Sequence, residues 1–236
     1  EARQIVRDVF AHFGRVTLEV LSLPRSLHEP ERFRIEGWEH LEQAHALGRG
    51  VLIYSAHMGN WELFAQQQAL RGLPIDFIAR PLDNPWLDQA FARWRELPGN
   101  RVLGKHGALR LALKTLKSKR SLAILIDQNQ RVPPRLFVPF FGRLAATTPT
   151  LGMLAVRTGA PVVPAIAIPH DDGGYTFRYE APLAVPPEGS DEARAEAVTL
   201  AATQVLETWI RAQPHTWLWL HDRWKGEPRP GERVLT

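Results

Sequence analysis

The feature that most constrains the fold is the apolar stretch at residues 51–54, which runs directly into the polar segment 57–62. Four consecutive strand-forming residues predict a strand that is covered on both faces. Gly59 and Asn60 interrupt this pattern, and Asn60 is a favourable N-cap for a helix that begins beside it. His57 is therefore predicted in the loop at the carboxyl end of a strand, where open α/β sheets place their chemistry.

The spacing of His57 and Glu62 limits how their side chains can meet. Within one helix, two residues five positions apart point about 140° away from each other. With His57 in the loop and Glu62 in the first helical turn, the carboxylate can reach an imidazole nitrogen and orient the ring as a general base. The chain has no Cys, and Ser55 points away from His57 if the strand alternates. A His–Glu pair without a protein nucleophile suits deprotonation of a hydroxyl on the substrate.

Composition narrows the chemistry further. The 236 residues, 44% of them hydrophobic, suffice for one α/β domain with a sizeable core. The lack of Cys excludes disulfides, thiol catalysis and zinc sites built on thiolates. A net charge of +4 is compatible with an anionic partner, but the basic residues are scattered, which argues against a nucleic-acid-binding arm. The sequence contains no Gly-rich phosphate loop, dinucleotide fingerprint or zinc-hydrolase motif.

Hydrophobic periodicity predicts alternating helices and strands along the rest of the chain. Helices are predicted at 2–22, 36–48, 60–70, 85–97, 107–119, 149–158 and 190–212, and strands at 73–80, 101–104, 121–128, 161–168, 175–180 and 217–221. The strand at 175–180 is expected to pair antiparallel, and residues 226–236 are expected to form a loose polar tail. This order favours a single α/β domain with a mostly parallel central sheet flanked by helices.

The predicted helix at 2–22 has two interpretations. Its apolar residues form one stripe. This stripe either packs on the core, or it lies at a membrane interface with the cationic residues of the helix toward lipid headgroups.

In the helix at 85–97, Asn84 is the expected N-cap, and Trp86, Phe91 and Trp94 are expected to face inward with Ala90.

Several motifs in a fixed order resemble the glycerolipid acyltransferase superfamily. The segment His-Met-Gly-Asn-Trp-Glu at 57–62 is similar to its lipid A late acyltransferase branch, the lauroyl and myristoyl transferases, with phosphatidylinositol mannoside acyltransferases as near relatives. The resemblance continues in Arg-Pro-x-x-Asn-Pro at 80–85, Asp-Gln at 127–128, Phe-Val-Pro-Phe-Phe-Gly at 137–142, Ala-Thr-Thr at 146–148 and Gly-Ala-Pro-Val-Val-Pro at 159–164. It covers nearly the whole chain.

The resemblance implies an O-acyltransferase that moves a fatty acyl chain from an acyl thioester to a hydroxyl of a membrane glycolipid, with His57 and Glu62 as the catalytic pair. The implied donor is acyl carrier protein or coenzyme A, the acceptor is a lipid A precursor, and neither a metal nor a further cofactor is implied. A phosphatidylinositol mannoside or lysophospholipid acyltransferase, a hydrolase and a catalytically idle lipid-binding module are the alternatives.

The same resemblance implies a cellular location. The expected site of action is the cytoplasmic face of the bacterial inner membrane, with an anionic membrane surface as a partner and no nucleic acid. The branch carries an N-terminal membrane helix just before the first residue of this chain. Residues 1–236 are thus expected to form one acyltransferase domain without that anchor.

Substrate contacts are expected from Arg80, Asn84, Asp127, Gln128, Gly142 and Thr147. Arg80 ends a strand, where its guanidinium suits a phosphate, a developing oxyanion or an ordinary ion pair. Asp127 is expected beside His57 and Arg80, where it holds Arg80, binds an acceptor hydroxyl or simply forms a turn. Gly142 permits close approach of the backbone, and the aromatic residues before it suit an acyl-chain wall or a core.

Overall fold

Ten strands are present in the computed structural model, which describes residues 1–26, 29–79, 81–104 and 107–235. In chain order they are β1 (Phe33–Glu36), β2 (Val51–Ser55), β3 (Ile75–Ile78), β4 (Arg101–Leu103), β5 (Ser121–Leu125), β6 (Leu136–Phe140), β7 (Arg143–Thr147), β8 (Val162–Pro169), β9 (Tyr175–Tyr179) and β10 (Arg233–Val234). They form a seven-stranded sheet and a separate three-stranded sheet.

The seven-stranded sheet has the order β1-β9-β8-β2-β5-β3-β4. All neighbours in it are parallel except β8 and β9, which are antiparallel as predicted. The hairpin of β6 and β7, extended by β10, forms the smaller sheet. The structure confirms the predicted α/β class with a mostly parallel central sheet.

Eight α-helices surround these sheets in the described part of the chain. They are α1 (Ala2–Leu21), α2 (Leu23–Ser26), α3 (Trp38–Ala46), α4 (Trp61–Leu70), α5 (Pro85–Glu96), α6 (Ala108–Lys117), α7 (Thr150–Thr158) and α8 (Asp191–Ala212). Two 3-10 turns, Pro30–Arg32 and Pro214–Thr216, complete the regular structure. Among the residues described, none of these helices has both the length and the hydropathy needed to cross a bilayer.

Strand β2 lies at the centre of the sheet and is covered on both faces, as its uninterrupted apolar sequence predicts. Leu52 and Tyr54 belong to the core cluster that includes residues of α7 and α8, whereas Val51 and Ile53 belong to the cluster that includes residues of α3 and α4. All four side chains are essentially inaccessible to solvent. Burial on both faces fixes β2 in the sheet, and so it fixes where the loop that carries His57 begins.

The structure differs from the sequence predictions at both chain ends. Strand β1 was not predicted, because its four residues are too few to give a clear period; it ends where the helix predicted at 36–48, which is α3, begins. The predicted strand at 217–221 is a loop, with Trp217 in a single bridge to Met58. The expected polar tail contains β10, which pairs with β6 and is held by the Arg233–Glu196 ion pair.

Helix α5 is less buried than predicted. No residue of this helix is fully buried, and Trp86 is 82% exposed. Ala90, Phe91 and Trp94 are partly buried. The helix packs beside β4, the edge strand of the sheet. Only the later turns of the helix are therefore packed against the rest of the protein.

Candidate active site

His57 follows β2 by two residues and is held in place by backbone contacts with the segment after α8. The amide of Leu218 donates to the carbonyl oxygen of His57 (2.9 Å), and the amide of Gly59 donates to Thr216 (2.9 Å). Gly59 adopts φ +60°, and a Cβ there would overlap the carbonyl oxygen of Ala167. The tight turn after His57 therefore requires glycine.

Asp127 is the residue that orients His57. The imidazole Nδ1 lies 2.9 Å from Asp127 Oδ1, and the backbone amide of His57 donates to Asp127 Oδ2 (3.0 Å). An ionised carboxylate only accepts hydrogen bonds, so Nδ1 carries the proton and Nε2 has a free lone pair. The His57 side chain is 23% exposed. In the neutral tautomer that this contact selects, Nε2 is the nitrogen that can take a proton from a bound molecule.

Asp127 is fully buried and has a further donor, Trp217, whose indole Nε1 lies 2.8 Å from Oδ2. Burial alone would raise the pKa of Asp127, but the charge of His57 and the hydrogen bonds from His57 and Trp217 hold this pKa below its usual value. His221 Nε2 lies 3.3 Å from the backbone oxygen of Asp127. The segment 214–221 therefore supports both members of the pair.

Glu62 differs from the prediction that it orients His57. It lies in the first turn of α4, as expected, but both carboxylate oxygens accept from Arg95 of α5, Oε2 from Nε (2.9 Å) and Oε1 from Nη2 (2.6 Å). The Glu62 side chain therefore contacts Arg95 of α5, and Asp127 occupies the position that orients His57. The predicted His–Glu contact is thus replaced by a His–Asp contact.

Helix α1 supports the same loop from the other side. His12 is buried, its Nε2 lies 3.3 Å from the carbonyl oxygen of Gly59, and burial lowers the pKa of His12. Glu19 accepts hydrogen bonds from the Asn60 amide (2.8 Å) and the Tyr175 hydroxyl (2.6 Å). Asn60 caps α4 as predicted, accepting from the amide of Leu63 (3.1 Å). Of the two interpretations of this helix, the packed one matches these contacts.

Asn84 and Gln128 follow β3 and β5 at the same sheet edge. Arg80 lies outside the described residues. Asn84 caps α5, accepting from the amides of Trp86 (3.0 Å) and Leu87 (3.3 Å). Gln128 is exposed directly after Asp127. Whether Asn84 and Gln128 bind a substrate stays a prediction.

Thr147 and Gly142, two further predicted substrate contacts, lie on the β6–β7 hairpin. Thr147 is fully buried, and its hydroxyl accepts from the buried Arg223, which also donates to Ala146. Gly142 forms the β6–β7 turn at φ +72°, and no described protein atom lies within 4 Å of a Cβ built there. The hairpin packs on α8 and the C-terminal segment, and whether Thr147 or Gly142 contacts a substrate stays a prediction.

The aromatic residues before Gly142 belong to the core rather than to an open acyl-chain wall. Phe137 and Phe140 are fully buried, and the Phe140 ring packs against Trp217 and Trp224 with centroids 5.9 and 5.7 Å apart. Between the two interpretations left open by the sequence, the structure therefore supports the core.

Sequence reasoning missed Trp217 and Arg95 as partners of the central carboxylates. A buried indole N–H requires an acceptor, and this was the one available signal for Trp217. Arg95 lies in an amphipathic helix that also contains Arg93, and nothing in the pattern distinguishes the two. In the described ranges, no group of three or more His, Asp or Glu side chains is arranged to hold a metal ion.

The fold and site define an α/β protein with a carboxylate-oriented histidine at the carboxyl edge of a parallel sheet. The chain belongs to the family of bacterial lipid A biosynthesis acyltransferases, whose family model matches residues 1–226. It is therefore an acyltransferase, and it is similar to enzymes with that activity.

The relatives span most of the chain. Identity is 32% over 228 residues to the lipid A biosynthesis lauroyltransferase of Escherichia coli K12, covering 93% of this chain and 72% of that protein. It is 26% over 229 residues to the phosphatidylinositol mannoside acyltransferase of Mycobacterium tuberculosis H37Rv, covering 94% and 71%. Among solved structures, the 1-acyl-sn-glycerophosphate acyltransferase PlsC of Thermotoga maritima is similar with a TM-score of 0.43 and 18% identity, covering 87% and 89% of the two chains.

Proposed function

We propose that this enzyme transfers a fatty acyl chain from an acyl thioester to a hydroxyl of a membrane glycolipid, with His57 as the general base. The observation that carries the proposal is the contact of Nδ1 of His57 with the buried Asp127, because it makes Nε2 the nitrogen that can accept a proton, on a side chain that is partly exposed to solvent. Family membership supplies the acyl-transfer chemistry.

In the proposed reaction, Nε2 of His57 takes the proton from the acceptor hydroxyl as its oxygen attacks the thioester carbonyl. Asp127 stabilises the imidazolium that forms, as a buried carboxylate does in a catalytic triad. The tetrahedral oxyanion then collapses, the carbon–sulfur bond breaks, and the thiolate takes the proton back from His57. The products are the ester and the free thiol, and the chain forms no acyl-enzyme.

The oxyanion needs a donor that the His57–Asp127 pair does not supply. We assign this role to Arg80 or to backbone amides, on the basis of the Arg-Pro-x-x-Asn-Pro segment that resembles the family motif. A guanidinium is suited to either an oxyanion or a phosphate of the acceptor. Asn84 and Gln128 are proposed to contact the acceptor beside it.

A lipid A precursor is the acceptor that the name of the Escherichia coli relative at 32% identity supports, since that relative is a lipid A biosynthesis lauroyltransferase. The phosphatidylinositol mannoside acyltransferase at 26% identity supports the second candidate, a mannosylated phosphoinositide. Both are glycolipids that present a hydroxyl to the same base. We propose acyl carrier protein or coenzyme A as the carrier of the acyl group.

We further propose that the edge carrying His57 faces a membrane surface at the cytoplasmic side of the inner membrane. The supporting observation is a set of exposed apolar side chains on the loops that follow β3 and β5, on the first turn of α5 and on the segment after α8: Leu82, Trp86, Leu87, Val132 and Leu220. A Trp with an apolar body and a polar N–H suits the headgroup region. We define these five residues as the apolar rim.

Acceptor dependence separates the transferase from the remaining candidates. The protein would be incubated with acyl carrier protein and coenzyme A thioesters, with and without each glycolipid, while thiol release and lipid mass are followed. Transfer predicts thiol release only with acceptor and a gain of one acyl chain on the lipid. Thiol release without acceptor would mark a hydrolase, and lipid binding without any release would mark a binding module.

A further inference from the structure

Glu19 is a buried carboxylate on α1, a helix that the proposed reaction does not use. Its side chain is 10% exposed. Arg15 Nε (3.0 Å) and Arg32 Nη2 (3.1 Å) donate to its Oε1. The Asn60 amide (2.8 Å) and the Tyr175 hydroxyl (2.6 Å) donate to its Oε2. All of these partners are donors, so each of them requires an acceptor at position 19.

The Oε1 side of this carboxylate is tied to the turn between β8 and β9. Arg15 and Arg32 each donate a further hydrogen bond to the backbone oxygen of Gly173 in that turn (2.7 and 2.9 Å). Hydrogen bonds between a guanidinium and a carboxylate are roughly twice as strong as neutral ones. Oε1 of Glu19 is therefore held by two groups, and Oε2 is a fixed acceptor for Asn60.

Asn60 is the side chain through which Glu19 contacts the turn that carries His57. It is fully buried, and its Oδ1 accepts from the amide of Leu63 (3.1 Å) as the N-cap of α4. An Asn side chain carries one acceptor oxygen and one donor nitrogen on the same planar group. A reversed amide would place its oxygen against Glu19 and its nitrogen against the N–H of Leu63. Glu19 thus selects the orientation in which Asn60 caps α4.

The orientation of Asn60 affects His57 because the turn between them is short and closely packed. The two residues are three positions apart in the chain. Gly59 lies between them, where a Cβ would overlap the carbonyl oxygen of Ala167. A shift of Asn60 is therefore passed to the backbone of His57. A catalytic group that is misplaced by about 1 Å can lower the rate about 10²-fold.

We propose that Glu19 is a positioning residue: it orients the Asn60 amide, and through Asn60 it holds the turn that carries His57. The kinetic part of this proposal rests on the proposed function, in which His57 is the base, and the structural part rests on the fold alone. Helix α1 then contributes to the geometry of the active site as well as to the core.

The proposal is tested by exchanging the carboxylate and the amide between the two positions. In Glu19→Gln, the amide nitrogen faces a donor whichever way it turns, either at Asn60 or at the two arginines. In Asn60→Asp, two carboxylates meet where one hydrogen bond is lost. The double variant Glu19→Gln/Asn60→Asp restores one donor and one acceptor. It also leaves an oxygen at position 60 for the amide of Leu63 and an oxygen at position 19 for the arginines.

The structural consequence is measured by hydrogen–deuterium exchange and mass spectrometry, which need no substrate. Glu19→Gln is expected to raise amide exchange at least about threefold in peptides covering 57–64, and the double variant is expected to return it to the wild-type rate. Glu196→Gln is the matched control, expected to leave these peptides unchanged. Glu196 is equally buried, at 8% exposure, but it accepts from Arg233 of β10. Unchanged exchange in Glu19→Gln would overturn the proposal even if the wild-type enzyme showed no transfer.

Asn60→Ser provides the same test if Glu19→Gln does not fold. Ser is as good an N-cap as Asn, so α4 keeps its cap, but Ser lacks the amide nitrogen that contacts Glu19. Amide exchange in peptides covering 57–64 is therefore expected to rise in this variant as well. Wild-type exchange there would show that the contact with Glu19 does not hold the turn, which would overturn the proposal.

The kinetic consequence is measured as acyl transfer by folded protein. Glu19→Gln and Asn60→Asp are each expected to lower kcat at least about tenfold with a smaller change in the KM for the acyl thioester, and the double variant to recover to within about threefold of the wild type. Glu196→Gln is expected to keep its kcat even where its free energy of unfolding is lower. Recovery in the double variant is a result that a loss of stability alone would not give.

Two kinetic results would overturn the positioning role and leave the proposed function intact. One is a folded Glu19→Gln enzyme with the wild-type kcat. The other is a double variant as slow as the slower single variant, obtained with a wild-type enzyme that transfers acyl chains. A wild type without transfer would instead contradict the proposed function, and the exchange measurements would then decide the role of Glu19.

Discussion

Asp127 Oδ1 lies 2.9 Å from Nδ1 of His57, although the two residues are 70 positions apart in the chain. Their strands, β5 and β2, are neighbours in register, with Leu125 opposite Ser55. Each functional residue follows its strand partner by two positions, so the two side chains reach the same level of the sheet edge. The register of β2 and β5 therefore brings His57 and Asp127 together.

Asp127→Asn is expected to lower kcat/KM for acyl transfer by about 10²–10⁴-fold. The Asn amide can donate to Nδ1, which favours the tautomer with the proton on Nε2 and removes the base. The measurement is the initial rate of acyl transfer by folded protein. Asp76→Asn is the matched control, because Asp76 is also a buried carboxylate, paired with Arg120 within the sheet. A near-wild-type rate for Asp127→Asn, or an equal loss in the control, would contradict the assignment.

Asp127 also predicts how the free energy of unfolding depends on pH. Its pKa in the folded protein is below the ordinary value of 3.8, so the ionised form stabilises the fold. This contribution is fully present above pH 3.8 and is lost as the pH falls through the lower folded-state pKa. Denaturant unfolding from about pH 5 to pH 2 should therefore show a shallower loss of stability in Asp127→Asn than in the wild type. Parallel curves would contradict it.

Gly59→Ala is expected to destabilise the protein more than Gly142→Ala. Both glycines have similar positive φ values, +60° and +72°, so both substitutions carry the left-handed backbone cost of about 1–2 kcal/mol. Only the Cβ at position 59 meets another group, the Ala167 carbonyl oxygen, whereas position 142 has open space. The measurement is the free energy of unfolding of each variant in denaturant, and equal values would show that the turn after His57 has room for a side chain.

Trp86→Ser is expected to weaken binding to vesicles of anionic phospholipid about tenfold, which corresponds to about 1.4 kcal/mol. The reason is the loss of the largest exposed apolar side chain of the apolar rim. Leu47→Ser is the control: Leu47 is 58% exposed but precedes β2, at the opposite edge of the sheet. Vesicle co-sedimentation measures both variants. Equal weakening in the two would argue against the apolar rim as the membrane-facing surface.

Much of the central sheet could be predicted from local sequence. The apolar run of β2 fixes a strand covered on both faces, and the alternation of helical and strand periods fixes the α/β class. The N-caps Asn60 and Asn84 are set by a single polar side chain next to a helix start. These features depend on residues that are close together in the chain, so local sequence patterns predict them.

The polar contacts of the site could be predicted only in part. Parallel strands bring Asp127 to the edge that holds His57, as expected. Whether Asp127 or Glu62 orients His57 depends on the register of β2 and β5 and on the side chain of Arg95, a residue in another helix. Trp217 reaches Asp127 from a segment 90 residues away. Such long-range contacts leave no period in the sequence.

The most direct test of the central claim is the rate of acyl transfer to a lipid A precursor by the wild type, His57→Ala and Glu62→Gln, measured by lipid mass spectrometry with saturating acyl thioester. The account predicts the gain of one acyl chain in the wild type, a fall of at least about 100-fold in His57→Ala, and a much smaller fall in Glu62→Gln when the acceptor is saturating. A folded His57→Ala enzyme with a near-normal rate would contradict the role of His57 as the base.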